Sequence, residues 1–353
     1  MVARSSPQPK RRTAISPLPS GVGPHGFPGP DADQVRAAIR SEAKQHGDAV
    51  RRYTQAVRLN PRDADAWRRL GSGLVGCGRT ADALAAFEAS LECDATVEET
   101  FILIADTKFR LCKFADAMAY IRSMPGLARQ RPELRALGAV CLDALGKPAH
   151  ARVVVVRALG DFPGSQALLT LLGAMEATAG ETEAAETHLR QALEAAPRNY
   201  DTLMGLGGVL DAEGKRTEAR RQFERAFTVQ PTRFEAIFAL CSIAVLTRDH
   251  AALDHWTQLG LQIAPLHPRL LYYRARVEAQ AGNRRKAEIL LRASIARDPN
   301  YQAGHFAIAR LLLARKQYNG ATMHLEATVE LDASNNQGRA AQAMLDRLQV
   351  TPS

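Results

Sequence analysis

The chain repeats itself every 34 residues, and that period leaves little freedom in its architecture. Steps of 34 from Ala49 reach Ala83, Ala117, Ala151, Ala185, Ala219, Leu253, Ala287 and Ala321. Twelve residues before each of these stands a small side chain: Ala37, Gly71, Ala105, Ala139, Gly173, Gly207, Cys241, Ala275 and Ala309. Four residues after each comes Tyr53, Phe87, Ile121, Val155, Leu189, Phe223, Thr257, Leu291 or Leu325, large and apolar at all but one position. Twelve residues after the alanine column, proline falls at 61, 163, 197, 231, 265 and 299. No insertion or deletion breaks the register from residue 49 onward.

These columns have a simple physical reading. A small residue in one helix and alanine in the next let two helices approach closely, and the large apolar residue fills the space beside them. Gly78, Gly146, Gly180, Gly214 and Gly282 recur five residues before the alanine column, where a left-handed residue would end the first helix. Proline at the junction stops the second helix and can start the next. One such hairpin cannot bury its own apolar face, so neighbours must stack into a solenoid.

Residues 64–97 carry the pattern most fully: Trp67, Leu70, Gly71, Leu74, Ala83, Phe87 and Ser90, with Pro61 closing the preceding unit. This resembles the tetratricopeptide repeat, a helix-turn-helix unit of the same length, with Leu74 in place of an aromatic and Ser90 in place of an alanine. The resemblance covers residues 30–335. It implies an all-α, right-handed superhelical solenoid of about nine repeats, starting near 30, 64, 98, 132, 166, 200, 234, 268 and 302. The ends depart from the pattern. Repeat 30–63 puts Asp33, Arg36 and Arg40 where apolar residues belong, and Gly47 falls three residues late. Either a deletion in the turn shifts the register or this is a polar capping helix. Residues 336–353 form a single capping helix with Ala340, Ala343, Met344 and Leu348 as its apolar stripe. Residues 1–29 hold six prolines, four glycines, four basic side chains and no acid, so they are expected to be disordered.

Several function classes are set aside by what the sequence lacks. No stretch approaches the roughly 20 apolar residues of a membrane span, and Lys10, Arg11 and Arg12 are not followed by the apolar core of a secretory signal. A cytoplasmic location is the expectation. Cys77, Cys93, Cys112, Cys141 and Cys241 are odd in number and show no CxxC spacing, so they read as packing residues in helices. There is no HExxH, GxSxG or GxxxxGK[ST] signature, no GxGxxG at a strand–helix junction, and no room for a separate catalytic domain. An enzyme, a metal centre and a cofactor are therefore not expected. The net charge of +9 invites a nucleic-acid partner. It resides in residues 1–29 and in repeat 268–301, with no continuous basic stripe, so nucleic acid is not the expected partner. The charges of Arg284, Arg285 and Lys286 read as a solvated face.

In the family that the repeats resemble, first helices line a concave inner wall, which implies a binding groove. Its N-terminal zone would be charged, with Asp65, Arg68, Arg69 and Asp106. The middle, roughly 132–245, would be apolar and small-sided. The C-terminal zone would stack Phe238, Tyr272 and Phe306 one repeat apart, beside Tyr273, Arg269, Arg276 and Arg310. Aromatics and arginine are frequent binding hot spots, and an arginine fork can hold a carboxylate. The alternative is that Phe238 and Phe306 pack between repeats while the arginines pair with Glu278 or Asp298. The Lys/Asn clamp and the asparagine ladder known from other members of this family are absent, since the ninth position reads Ser72, Asp106, Val140, Ala174, Gly208 and Ser242. Val153, Val154, Trp256, Ile289 and Leu290 mark a second, outward surface through which copies could associate. The expectation is a scaffold that holds a peptide or protein in its groove. The rival readings are a substrate-positioning subunit of a transferase or assembly system and a binder of nucleic acid or acidic polymer.

Overall fold

A computed structural model describes residues 26–27 and 29–350. Among them there are nineteen helices and no strand. One long helix, α1 (Ala32–Leu59), comes first. Eight hairpins follow: α2 (Ala64–Gly76) and α3 (Thr80–Cys93); α4 (Glu98–Arg110) and α5 (Phe114–Arg122), with the short α6 (Pro125–Gln130); α7 (Pro132–Ala144) and α8 (Pro148–Asp161); α9 (Gln166–Ala179) and α10 (Thr182–Ala195); α11 (Tyr200–Ala212) and α12 (Arg216–Val229); α13 (Glu235–Leu246) and α14 (His250–Ile263); α15 (Pro268–Gln280) and α16 (Arg284–Arg297); α17 (Gln302–Leu313) and α18 (Tyr318–Leu331). A last helix, α19 (Asn336–Val350), completes the array. The fold is an all-α helical solenoid. It divides into two compact units, one of Ala32–Ile243 and one built on Ala244–Ser353, the division falling within α13. The described residues up to Asp31 belong with the second unit.

The columns of the sequence are the core of both units. Every residue of the alanine column from Ala83 to Ala321 is fully buried, Leu253 included. The small and large columns interlock by size. Where the small residue is Gly71 or Gly207, the ring of Phe87 or Phe223 lies on its Cα, and a Cβ there would stand 2.5 Å from the ring carbon Cε1. Where it is Ala139, Ala275 or Ala309, the partner column shrinks to Val155, Leu291 and Leu325. Ser90 and Ser294, each one turn of helix further on, donate through Oγ to the carbonyls of Ala64 and Pro268 at 2.7 and 2.8 Å, tying the second helix to the start of the first.

All eight hairpins turn in the same way. Residues 78, 112, 146, 180, 214, 248, 282 and 316 have φ between 56° and 86°. The amide after each one donates to the carbonyl five residues back, as in Arg79 to Leu74 (2.8 Å) and Gln317 to Leu312 (3.0 Å). This is the Schellman closure, which glycine accommodates without strain. Five positions are glycine as the spacing predicts. The other three are Cys112, Arg248 and Lys316, which adopt the left-handed conformation with a side chain in place.

Residues 30–63 do not form a hairpin. Lys44 occupies the register of the turn glycine, and Gly47 sits inside the uninterrupted α1. With no left-handed residue at the turn the helix continues, and the interior glycine costs it only about 1 kcal/mol. The C-terminal half of α1 still performs the second-helix role. Val57 is buried with Ala66, Leu70 and Leu74, and Val50 and Tyr53 pack beside it. Asp33 pairs with Arg36 in its first turns, and Asp48 pairs with Arg51 further along. In repeat 98–131, Ser123 and Met124 interrupt the second helix, and Pro125 restarts it as α6. The last helix, α19, buries Ala341 and Leu345 against Ala309 and Leu325, with Met344 and Leu348 alongside. Its stripe is thus turned by one residue from Ala340 and Ala343.

The cysteines divide. Cys141 and Cys241 are buried packing residues, whereas Cys77, Cys93 and Cys112 are exposed. Cys77 caps α2 and Cys112 is a turn residue, so the expectation of packing holds for the two that face a neighbouring helix.

Candidate functional site

The first helices of the hairpins present their register positions differently in the two units. In the unit of Ala32–Ile243, the charged zone is neutralised from within. The Asp65 carboxylate accepts from Arg69 Nε and Arg68 Nη2, both at 2.5 Å, and Arg68 also pairs with Glu99 of α4. The hydrogen bond from Arg69 is the main cause that holds the Asp65 carboxyl below its usual range. Arg69 further lies 5.9 Å from the Tyr53 ring centroid. Asp106 accepts from Arg110 Nε at 2.6 Å. These charges already have partners, so each contributes little to attraction for a ligand.

The middle zone is apolar and half-buried, with Leu137, Val140, Leu171 and Met204 on α7, α9 and α11. A short polar ladder joins two of these helices. Gln166 donates to Thr170 and Thr202 at 2.8 and 3.0 Å, and the two threonine hydroxyls lie 2.7 Å apart. At the end of this unit Phe238 is buried and stacks on Phe234, ring centroids 6.2 Å apart. Tyr200 is buried under Arg233, whose guanidinium sits 3.8 Å from the ring centroid. Burial, reinforced by the Glu235 charge, pushes the Tyr200 hydroxyl up to about 12.

In the unit beginning at Ala244, α15 and α17 bring together six of the expected residues. Tyr272 and Tyr273 are each 8% exposed and meet edge to face at 5.2 Å. Tyr272 also meets Tyr301 edge to face at 5.5 Å. Tyr301, which the register did not flag because it precedes α17, anchors the cluster. Burial first, then the neighbouring tyrosines, push its hydroxyl far above the ordinary range, against a hydrogen bond from Arg269. Arg276 donates to the Tyr272 hydroxyl at 3.0 Å and lies 5.8 Å from its ring. Arg310, one repeat later in the same register, lies 5.9 Å from the half-buried Phe306 ring.

The carboxylates that could neutralise these arginines are otherwise engaged. Glu278 is 3% exposed and receives Lys286 (2.7 Å), Arg274 (2.9 Å) and Asn283 (2.9 Å). Burial alone would raise its carboxyl, but those three donors outweigh it and hold it at about 2. Asp298 accepts from the Asn300 amide at 3.1 Å. Among the described residues no carboxylate pairs with Arg276 or Arg310, in contrast to Arg68 and Arg69.

Two family models, each described as tetratricopeptide repeat, match residues 36–97 and 176–242. They fall on the register that the buried columns and the eight turns define. This is a tetratricopeptide-repeat protein. Its relatives in sequence include the Protein CTR9 homolog of Arabidopsis thaliana, 20% identical over 308 residues. That match takes in 84% of this chain, which spans only a quarter of the relative's length. Among solved structures, this tetratricopeptide array is similar to the APC/C hetero-tetramer Cut9–Hcn1, with a TM-score of 0.63 and 16% identity over 86% of this chain and 59% of that one. It is also similar to the human IFIT1 dimer with m7Gppp-AAAA, with a TM-score of 0.59 and 18% identity over 82% of this chain and 72% of that one. At such identities the likeness concerns the fold.

The outward surface of the array differs from its expected form. Val153 and Ile289 are 66% and 60% exposed, while Val154 and Leu290 are half-buried. Trp256 is 1% exposed, so it forms no part of an exposed patch. Phe27 packs against it, with ring centroids 5.5 Å apart. The segment before α1 therefore makes a packed contact, whereas residues 1–25 and 28, the bulk of the stretch expected to be disordered, lie outside the described residues. No described helix is long and apolar enough to cross a membrane. Among the described residues no three His, Cys, Asp or Glu side chains gather as a metal site would require.

Proposed function

We propose that this tetratricopeptide array is a scaffold that holds a partner protein or peptide on its first helices, and that Arg276 and Arg310 receive an acidic group of that partner. One observation carries the reading: two guanidinium groups in equivalent positions of successive repeats have aromatic neighbours and no carboxylate partner among the described residues. A guanidinium left without an anion next to a ring is a preorganised fork for a carboxylate, whether of an Asp or Glu side chain or at the C-terminal end of a peptide. The half-buried Phe306 supplies apolar surface that gives such a contact affinity, and the buried Tyr272 holds Arg276 in place through its hydroxyl. The mechanism is holding by shape and charge, with no chemical step. Repeat arrays of this family serve generally as protein-interaction scaffolds, which supports the class of function. The acidic character of the ligand rests on the two arginines alone.

The test compares partners captured by the wild-type protein and by Arg276→Glu/Arg310→Glu under one set of conditions. Loss of a subset of partners, with helicity unchanged, is the expected result. An identical partner set removes the arginine reading. The nucleic-acid alternative draws on the basic repeat 268–301 and on the IFIT1 dimer with m7Gppp-AAAA as a neighbour in fold. Gel shifts with single-stranded RNA at two salt concentrations decide it, since phosphate binding weakens steeply as salt rises.

A further inference from the structure

The segment before α1 is built as an aromatic hook. Gly26 has φ +77°, open to glycine and strained for other residues. The Phe27 ring then folds back over Gly29 so closely that no Cβ fits there, with ring atom Cδ1 only 2.8 Å from where it would stand. Two glycines thus shape the approach to α1 around the Phe27 ring, and that ring meets Trp256 at 5.5 Å with the planes tilted by 50°. Trp256 is itself exceptional in the array. The same register holds Tyr120, His188 and His324 and otherwise non-aromatic residues, so no other repeat carries an indole there. His255 meets Trp256 edge-on at 5.0 Å and fixes the ring's orientation from the same helix.

We infer that the face of Trp256 on α14 is a docking site for an aromatic ring borne on a glycine- and proline-bounded segment, and that this protein fills it in cis with Phe27. The hook seats Phe27 on the unit that begins at Ala244. Glycine at 26 and 29 leaves the Phe27 ring room to take this position. A segment of another molecule with the same chemistry, a phenylalanine between glycines and proline, competes for the same face. This site is independent of Arg276 and Arg310.

The experiment reads tryptophan emission, for which the protein has only Trp67 and Trp256. In the Trp67→Phe background, emission reports Trp256 alone. Phe27→Ala is expected to shift it to the red and to raise its quenching by acrylamide. Gly29→Ala is expected to do the same although it leaves Phe27 in place, because its Cβ expels the ring. A synthetic peptide of residues 22–31, added to the Phe27→Ala protein, is expected to reverse the shift saturably, and the same peptide with alanine for phenylalanine is not. Emission unchanged in both variants overturns the hook. Failure of the peptide to reverse the shift overturns the docking site. If Trp67→Phe does not fold, difference spectra of the same variants in the two-tryptophan background give the same readout. Arg276→Glu/Arg310→Glu leaves the signal unchanged, so this inference and the groove reading fail separately.

Discussion

Replacing Arg248 with glycine should stabilise the protein although it removes a charged side chain. The Arg248 backbone has φ 56°, and the residue after it makes the same closing bond, Asp249 N to Ala244 O at 2.8 Å, that glycine turns make elsewhere. An L-residue in the left-handed region costs roughly 1–2 kcal/mol. Glycine escapes that strain but loses more freedom on folding, a penalty of roughly 0.5–1 kcal/mol. The net gain is thus about 0.5–1 kcal/mol, and Lys316→Gly and Cys112→Gly should gain as much. The three turns lie in different repeats, so the triple variant should gain about 2 kcal/mol by additivity of separate sites. Gly214→Ala, at φ +80°, is the converse and should cost about 1 kcal/mol. Arg248 and Lys316 are exposed and make no ion pair among the described residues, so little is lost with their side chains. Urea unfolding followed by circular dichroism reads the midpoint, and an unchanged slope shows that stability itself moved. Lower midpoints for all three glycine variants, or an unaltered midpoint for Gly214→Ala, would refute the argument that turn strain is held at these positions.

The other expectations concern packing and titration. Gly207→Ala places a Cβ 2.5 Å from Cε1 of the buried Phe223 and should cost about 1–3 kcal/mol; adding Phe223→Leu, the pairing seen at Ala309 and Leu325, should recover most of it in thermal melts. Glu278 titrates below its usual 4.5, near 2, so its stabilising contribution is complete above that usual value and declines as pH falls from 4.5 toward 2. At about 1.4 kcal/mol per tenfold change the loss is at most about 3.5 kcal/mol, less whatever screening the exposed Lys286 ammonium allows. Glu278→Gln should flatten the acid limb of a stability profile, and a limb of unchanged steepness would assign the acid sensitivity elsewhere.

What the sequence made legible is what the period enforces. A column repeated eight times shows its rule whatever the composition of one repeat, so the buried alanines, the large residues that fill the space beside them and the five glycine turns were readable in advance, whereas the turns at Cys112, Arg248 and Lys316 were not. The turn at 248 is instructive. Arginine there argues locally against a left-handed residue, yet the array imposes the conformation because the helices on both sides are already fixed by packing. The register outweighs local preference by more than the strain costs. The same logic inverts at α1. Position 44 has no preceding hairpin to impose a turn, so local helical preference prevails and one helix replaces two. A periodic pattern therefore constrains a residue in proportion to the neighbours it has on both sides.

The functional residues were legible only in part, for the same physical reason. Register places Tyr272, Arg276, Phe306 and Arg310 on equivalent faces, but burial depends on what lies outside the register. Tyr301 lies in the approach to α17, and it is this residue that turns Tyr272 from a wall side chain into a member of a closed aromatic cluster. Likewise Arg68 and Arg276 share a chemistry, and the difference between them is set by Asp65 and Glu99, whose positions no column predicts. Phe27 lies before the array altogether, so its partner could not be found by periodicity. The signal was local: glycines on either side of an aromatic–proline pair. In a repeat protein the period therefore identifies the scaffold, while function is concentrated where individual residues depart from it. Arg276 and Arg310 are such departures, and Trp256 is one inside the core, the one indole in its register.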